Sequence, residues 1–413
     1  MEARWKLLIG IWVLFAAAYV SYRGVIPGWN DTQTDFNNYY ASAKLFRQGE
    51  SIHSFYENEA FASMAKESGV ENGAKFSPFP PPTAVLYWRL TFFDQLTAKR
   101  IWLVVSLMLL VFLPFRIRHY FRETSVLENL FVISLFFVPL ASNLHFGQFY
   151  FVVAFLLLES VGSVLSKKKM LLPTVLIGAL TAVKYLPILF LGYAFGSSKK
   201  AVKPILITLI TMLAITGVFM LIDVEAYSVY LSDLGGHVNG DLSGQGKYAI
   251  GFQSIDALLN NLFVYDVVEN QQPFVDSAVL KPVLKCLFIG AIGTCCLRLL
   301  IAEKYSFSPA VVSICIIGGF SIIPASASYH FLLLIVPVFF IDQWLRQNGT
   351  RRERLIVVAL LLGVFVIQAH HIPPIYRWPL VDLLIHFPRF WLLLTLFSYL
   401  FYKRITQIRL SNG

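Results

Sequence analysis

ILITLITMLAITGVFMLI, residues 205–222, runs for eighteen residues without a charged side chain, with Lys203 and Pro204 before it and Asp223 after it. At 1.5 Å per residue, an α-helix of that length covers roughly 27 Å, close to the hydrocarbon thickness of a bilayer. Inside lipid, every backbone N–H and C=O must find its partner within the segment, so such a run reads as a transmembrane helix. Residues 7–20, 101–115 and 355–369 read the same way. The runs are spread from end to end of a 413-residue chain that is 57% hydrophobic and only 14% charged. That excludes an ordinary soluble fold and predicts one integral membrane domain over 1–413.

Lys and Arg resist translocation, so basic clusters mark cytoplasmic loops. They are Arg4/Lys6, Arg116/Arg118/Arg122, Lys167/Lys168/Lys169, Lys199/Lys200/Lys203, Arg298/Lys304, Arg346/Arg351/Arg352/Arg354 and Lys403/Arg404/Arg409. The formal charge of +10 is therefore a topological signal rather than a nucleic-acid-binding surface. Threading helices between these anchors predicts spans at 7–22, 98–115, 126–142, 149–166, 204–222, 277–300, 308–324, 330–345, 355–370 and 388–402. The first is read as an uncleaved span, because no small-residue cleavage site precedes Tyr22. Residues 171–196 have basic clusters on both sides, so both ends lie inside and the segment must go in and come back, broken near Lys184 and Pro187. Whether it forms two tilted helices or a re-entrant pair stays open. The prediction is an all-α polytopic protein of about twelve transmembrane helices (10–13), with two long outer segments at about 23–97 and 223–276.

Candidate chemistry gathers on the outer side. Asp35 opens the amphipathic pattern Phe36, Tyr39, Tyr40, Ala43, Phe46. It is either an N-cap or a base that takes a proton from an attacking hydroxyl. Asp31, in Asn30-Asp31-Thr32, reads as a turn. Asn143, His145 and Gln148 fall at an outer turn around Gly147, either as helix caps or facing the same cavity as Asp35. Lys184 is an intramembrane cation that must snorkel, pair with a carboxylate or meet an anionic phosphate. Gln253-Ser254 and the Ser326/Ser328/His330 group lie at further outer helix ends. His370-His371 lacks a third ligand for a metal, and Glu159 is expected to pair with the nearby Lys167/Lys168/Lys169 cluster. The four cysteines have no metal-ligand spacing and read as buried thiols. No Walker A, GxGxxG or HExxH sequence occurs, so ATP-driven transport, dinucleotide chemistry and a zincin have no support.

In order along the chain, Asp35 with Tyr39 and Tyr40, Gly49, Tyr56, the segment Phe76-Ser77-Pro78-Phe79-Pro80-Pro81-Pro82, Gly147-Gln148, Lys184-Tyr185-Leu186-Pro187 and Gln253-Ser254 form a set. The set resembles the polyprenol-phosphate-mannose-dependent, mannosyltransferase-like group of C-type membrane glycosyltransferases, glycosyltransferase family 87. The resemblance implies a GT-C fold with interfacial helices in the first outer loop. It implies inverting transfer of a hexose such as mannose, or of a pentose, from a polyprenyl-phosphate donor to a glycolipid or glycan acceptor, at the outer face of the cytoplasmic membrane. Asp35 would be the general base, Lys184 and His330 would contact the donor phosphate, and Tyr39, Tyr40, Gln148 and Gln253 would line the substrate site. No metal or other cofactor is implied, and nucleic acid is not a partner. One departure is the Phe149-Tyr150 that follows Gly147-Gln148, where the family often has Asn.

Two rival readings remain at this stage. A twelve-span secondary transporter would use Lys184 and the broken helices as a midplane site. A non-catalytic lipid-binding or assembly subunit would use the same outer surface. The long acidic first outer segment and the absence of similar halves weigh against the transporter.

Overall fold

The computed structural model describes residues 3–70, 74–166, 171–196, 202–238, 246–277, 279–304, 308–324, 327–367 and 379–412. Every regular element among them is helical, with only an isolated bridge between Asp266 and Asn270. The chain forms two compact units, Met1–His237 and Val238–Gly413.

Five helices are long and apolar enough to cross a membrane: Arg4–Asn30, Gln95–Tyr120, Val202–Ile222, Leu280–Ala302 and Ser328–Asn348. The protein is a multi-pass membrane protein. A sixth span is added if Val126–Ser134 and Phe137–Phe146, bent by 70° at their junction, count as one. The single straight span expected at 126–142 is therefore bent. Pro139 has no N–H for the Leu135 carbonyl and its ring crowds that oxygen, which stops the first helix from running on. The predicted spans at 149–166 and 308–324 appear as the shorter helices Tyr150–Leu165 and Pro309–Phe320. Those at 355–370 and 388–402 appear as Arg351–Val366 and Pro388–Asn412. Length and composition alone thus support five or six crossings rather than twelve.

In the first unit, the Arg4–Asn30 helix docks closely on Phe137–Phe146. A Cβ on Gly24 would stand 2.8 Å from the Ala141 Cα, and one on Gly28 would stand 2.6 Å from the Leu144 carbonyl oxygen. This small-xxx-small spacing lets the two backbones touch and brings the chain leaving one helix next to the end of the other. The following segment folds as helices Phe36–Gln48 and Asn58–Glu67 with short 3-10 turns at Ile52–Tyr56, Pro81–Val85 and Trp88–Phe92. Phe36, Tyr39, Tyr40, Phe55, Phe61, Phe76 and Tyr87 are all fully buried there, so the helical spacing seen in the sequence packs an aromatic core.

Glu159 pairs with Arg116 (2.5 and 2.7 Å) and accepts from the Tyr120 hydroxyl. The expected lysine partners at 167–169 lie outside the described residues, as do Lys199, Lys200, Ser326 and His370-His371. The cysteines are free but not buried: Cys286 is exposed and the other three are half-buried on helix faces. In the second unit, Arg346 and Arg354 share Asp342, Lys403 meets Glu353 and Arg404 meets Glu303. These pairs tie together the basic ends of four helices that the positive-inside pattern placed on one side.

Candidate active site

Asp35 stands at the N-cap position of helix Phe36–Gln48, yet its side chain makes no capping hydrogen bond. Its Oδ2 accepts instead from Nε2 of Gln148 at 2.6 Å. Gln148 reaches it because Gly147 ends the Phe137–Phe146 helix in the left-handed conformation, φ 64°. Two constraints require glycine here. The positive φ disfavours a side chain, and a Cβ would meet the Phe36 Cβ at 2.8 Å. The Gly-Gln pair is thus one device: the glycine lets the turn press against Phe36, and the amide then faces the neighbouring carboxylate.

The chain of contacts continues inward. Gln148 Oε1 accepts from the Tyr39 hydroxyl at 2.7 Å, and the Tyr39 oxygen accepts from Lys184 Nζ at 3.0 Å. Ammonium to phenol to amide to carboxylate, every donor points the same way. Each bond polarises the next, and the carboxylate, which can only accept, fixes the orientation of the Gln148 amide. Tyr39, Gln148 and Lys184 are buried, while Asp35 is half-buried and forms the open end of the relay.

Lys184 is placed by the break that the sequence predicts. Pro187 cannot bond to the Val183 carbonyl, so helix Leu171–Val183 stops there, and Thr83 Oγ1 donates to the freed oxygen at 3.0 Å. That link brings in the proline-rich segment, where the Tyr56 hydroxyl holds the Phe79 carbonyl at 2.7 Å. The Phe79 ring lies 3.9 Å from Nζ of Lys184, with the rings of Tyr39 and Tyr150 each at 5.1 Å. Asp35 is the acidic group whose field reaches this cation. The aromatic cage and the distant carboxylate together compensate a charge that burial would otherwise penalise by several kcal/mol.

Other expected site residues go elsewhere. Tyr40 turns away and donates to the Phe93 carbonyl at 2.7 Å. His145 pairs with Asp31 at 3.1 Å, while the Asp31 Oδ1 accepts the Gln33 amide at 2.8 Å in the predicted turn. Burial works to raise the Asp31 carboxyl, but the Gln33 amide and His145 outweigh it and hold the group below its ordinary value. Asn143 accepts the Phe151 amide and so supports the start of the next helix. Gln253 and His330 belong to the second unit. The Gln253 side chain donates to the Ile250 and His386 carbonyls and accepts the Arg389 amide. His330 Nδ1 accepts the Ala327 amide at 3.1 Å. Ser254 caps helix Ile255–Phe263. Phe79 and Tyr150 were missed as site residues. Phe79 sits inside the proline-rich motif and Tyr150 just after Gly147-Gln148, and aromatic rings available to a lone lysine in an apolar stretch were the signal. No group of three His, Cys, Asp or Glu side chains suited to a metal occurs among the described residues.

The model of glycosyltransferase family 87 matches residues 78–324, more than half of the chain. The chain belongs to glycosyltransferase family 87. It is therefore a glycosyltransferase, and the transporter reading is set aside. The matched stretch carries Phe79, Gln148, Lys184 and Gln253, whereas Asp35, Tyr39, His330 and Arg389 lie outside it. No curated protein and no solved structure matches this glycosyltransferase.

Proposed function

We propose that this glycosyltransferase moves a hexose such as mannose, or a pentose, from a polyprenyl-phosphate donor to a hydroxyl of a glycolipid or glycan, at the outer face of the cytoplasmic membrane. The reading keeps the GT-C architecture, with the shorter helices completing about twelve crossings. The observation that carries it is the Asp35–Gln148–Tyr39–Lys184 relay, which ends in a half-buried carboxylate. Asp35 takes the proton of the acceptor hydroxyl as that oxygen bonds to the anomeric carbon. The carbon–oxygen bond to the lipid phosphate breaks on the opposite face, its electron pair leaves with the phosphate, and the configuration inverts. No metal or covalent intermediate is needed, because a lipid phosphate is already a competent leaving group and the base supplies the remaining push.

Lys184 has a different role from the phosphate contact expected of it. Its ammonium is enclosed by rings and bonded to Tyr39, so it acts as a positioning residue. Near a low-dielectric bilayer a lone carboxylate tends to protonate. A cation at the far end of the relay directs positive charge toward Asp35 and holds the Gln148 amide in one orientation.

The test is sugar transfer by purified protein in lipid, with a polyprenyl-phosphate sugar as donor. Asp35→Asn is expected to lower the rate by about 10²- to 10⁴-fold while leaving the unfolding temperature nearly unchanged. Full transfer by Asp35→Asn would sink the assignment. Retention of configuration in the product would remove the single-displacement step.

A further inference from the structure

Three cationic side chains are buried among the described residues: Lys99, Lys184 and Arg389. Lys99 donates to the Asp31 carbonyl and feels the Asp31 carboxylate, and Lys184 feels Asp35 through the relay. Arg389, in the second unit, has no acidic group acting on it among the described residues. Asp382, the nearest acidic residue along the chain, sits beside His386 at 3.5 Å, and the buried Asp256 is paired with Lys285.

Arg389 is 3% exposed. Its Nε donates to the Val364 carbonyl at 2.9 Å, one Nη2 hydrogen goes to Ser328 Oγ at 3.1 Å, and the guanidinium lies 5.3 Å from the Phe331 ring. A guanidinium carries five N–H donors, so three of them, on Nη1 and Nη2, meet no acceptor among the described residues. Capping the C-terminal end of helix Arg351–Val366 explains part of this placement, but a cation at a helix C-terminus gains at most about 2 kcal/mol. Removing an ion from water costs several kcal/mol. The carbonyl, hydroxyl and ring leave the charge itself unmatched.

Two motifs from the sequence meet at this residue. The Gln253 side chain accepts the Arg389 amide, and Ser328, two residues before His330, accepts from the guanidinium. Gln253 in turn holds the His386 carbonyl at 2.6 Å, so the backbone on both sides of Pro388 is fixed by one amide. The fork is therefore held rigidly, as planar recognition of an oxyanion requires.

We infer that Arg389, with Ser328 beside it, forms an anion site in the second unit that takes a phosphate-type oxyanion. The free N–H groups, two on Nη1 and one on Nη2, bind the phosphate oxygens, and the anion supplies the missing counter-charge. The inference is independent of Asp35 acting as base.

The protein in detergent is unfolded by heat with sodium chloride, with inorganic phosphate at the same ionic strength, and with decyl phosphate. Phosphate is expected to raise the midpoint by about 4 °C over chloride near saturation. Arg389→Lys should lose most of that rise, because an ammonium cannot offer the fork, and Ser328→Ala should lose part of it with the guanidinium intact. Arg389→Gln should lose all of it, and the lysine and serine variants decide the matter if the glutamine variant does not fold. Asp35→Asn should keep the full rise, which separates this site from the catalytic reading. A larger rise with decyl phosphate assigns the oxyanion to a lipid headgroup, and equal rises assign it to a free phosphate. No phosphate-specific rise in the unaltered protein, or an undiminished rise in Arg389→Lys, overturns the proposal.

Discussion

Lys184 and Arg389 are both buried cations at places where a proline interrupts or starts a helix, yet their charges are balanced differently. Lys184 belongs to a closed circuit: rings on three sides, a phenol, an amide and finally a carboxylate, all within the first unit. Arg389 is held just as firmly by Val364, Ser328 and Gln253, but none of these is charged. A cation whose counter-charge lies within the fold tunes its neighbours. A cation without one is a receptor. As proposed, the first unit prepares a base and the second receives an oxyanion.

Breaking the internal circuit should give the largest effect in this comparison. Lys184→Met keeps the length and removes the charge, and transfer is expected to fall about 100-fold, equal to roughly 2.7 kcal/mol of transition-state stabilisation. Combined with Asp35→Asn it should add little, because both act through one carboxylate, and the double variant's rate checks this. Phosphate-dependent stabilisation should survive in Lys184→Met. If it vanishes, the two cations do not have separate tasks.

Gly147→Ala tests the geometry that closes the circuit. The positive φ costs about 1 kcal/mol for alanine, and the 2.8 Å approach to Phe36 adds a similar amount or more. Denaturant unfolding should register a loss of about 2 kcal/mol, together with weaker transfer as Gln148 shifts. Tyr39→Phe removes one hydroxyl that bonds to both Gln148 and Lys184. Transfer should fall by about 10-fold, near the 1–3 kcal/mol cost of leaving buried partners unsatisfied.

The smallest effect is expected where charges pair at the edge of the first unit. His53 Nδ1 lies 3.2 Å from Asp223, whose carboxylate also accepts the His53 and Ala226 amides. Burial works to raise the Asp223 carboxyl, but the two amides and the His53 ring outweigh it, and the group lies below its ordinary 3.8. A depressed carboxyl contributes stability that is fully present above 3.8 and is lost as the pH falls through the lower, folded value. Asp223→Asn should therefore lower the unfolding midpoint slightly at pH 7, by under about 1 kcal/mol, and the gap to the unaltered protein should close below pH 3.8. A gap that persists in acid would show that the side chain acts through shape and not charge.

The membrane spans were legible wherever hydrophobicity alone decides. The uncharged run at 205–222 became Val202–Ile222, and 98–115 became the core of Gln95–Tyr120. The number of crossings was not legible, because short apolar helices such as Tyr150–Leu165 and Pro309–Phe320 look alike whether they cross or pack inside. The straight 126–142 span failed at a proline whose effect depends on which carbonyl it faces. At the site, Lys184 stood out because an isolated charge in apolar surroundings is costly, and Asp35 because it opens an amphipathic pattern just beyond the first span. Arg389 did not, because an arginine at the start of an apolar run reads equally well as an interface anchor.

By itself the sequence determined that this is a helical membrane protein, which residues are costly to bury, and where Pro187 and Gly147 must turn the chain, since transfer energies and backbone sterics are local. Only the tertiary structure decided that Gln148 meets a carboxylate 113 residues away, that Lys184 looks at Phe79 and Tyr150, and that Gln253 serves Arg389. Those pairings depend on how the helices stack, and a hydrogen bond or a counter-charge has no sequence signal until two distant segments share one place.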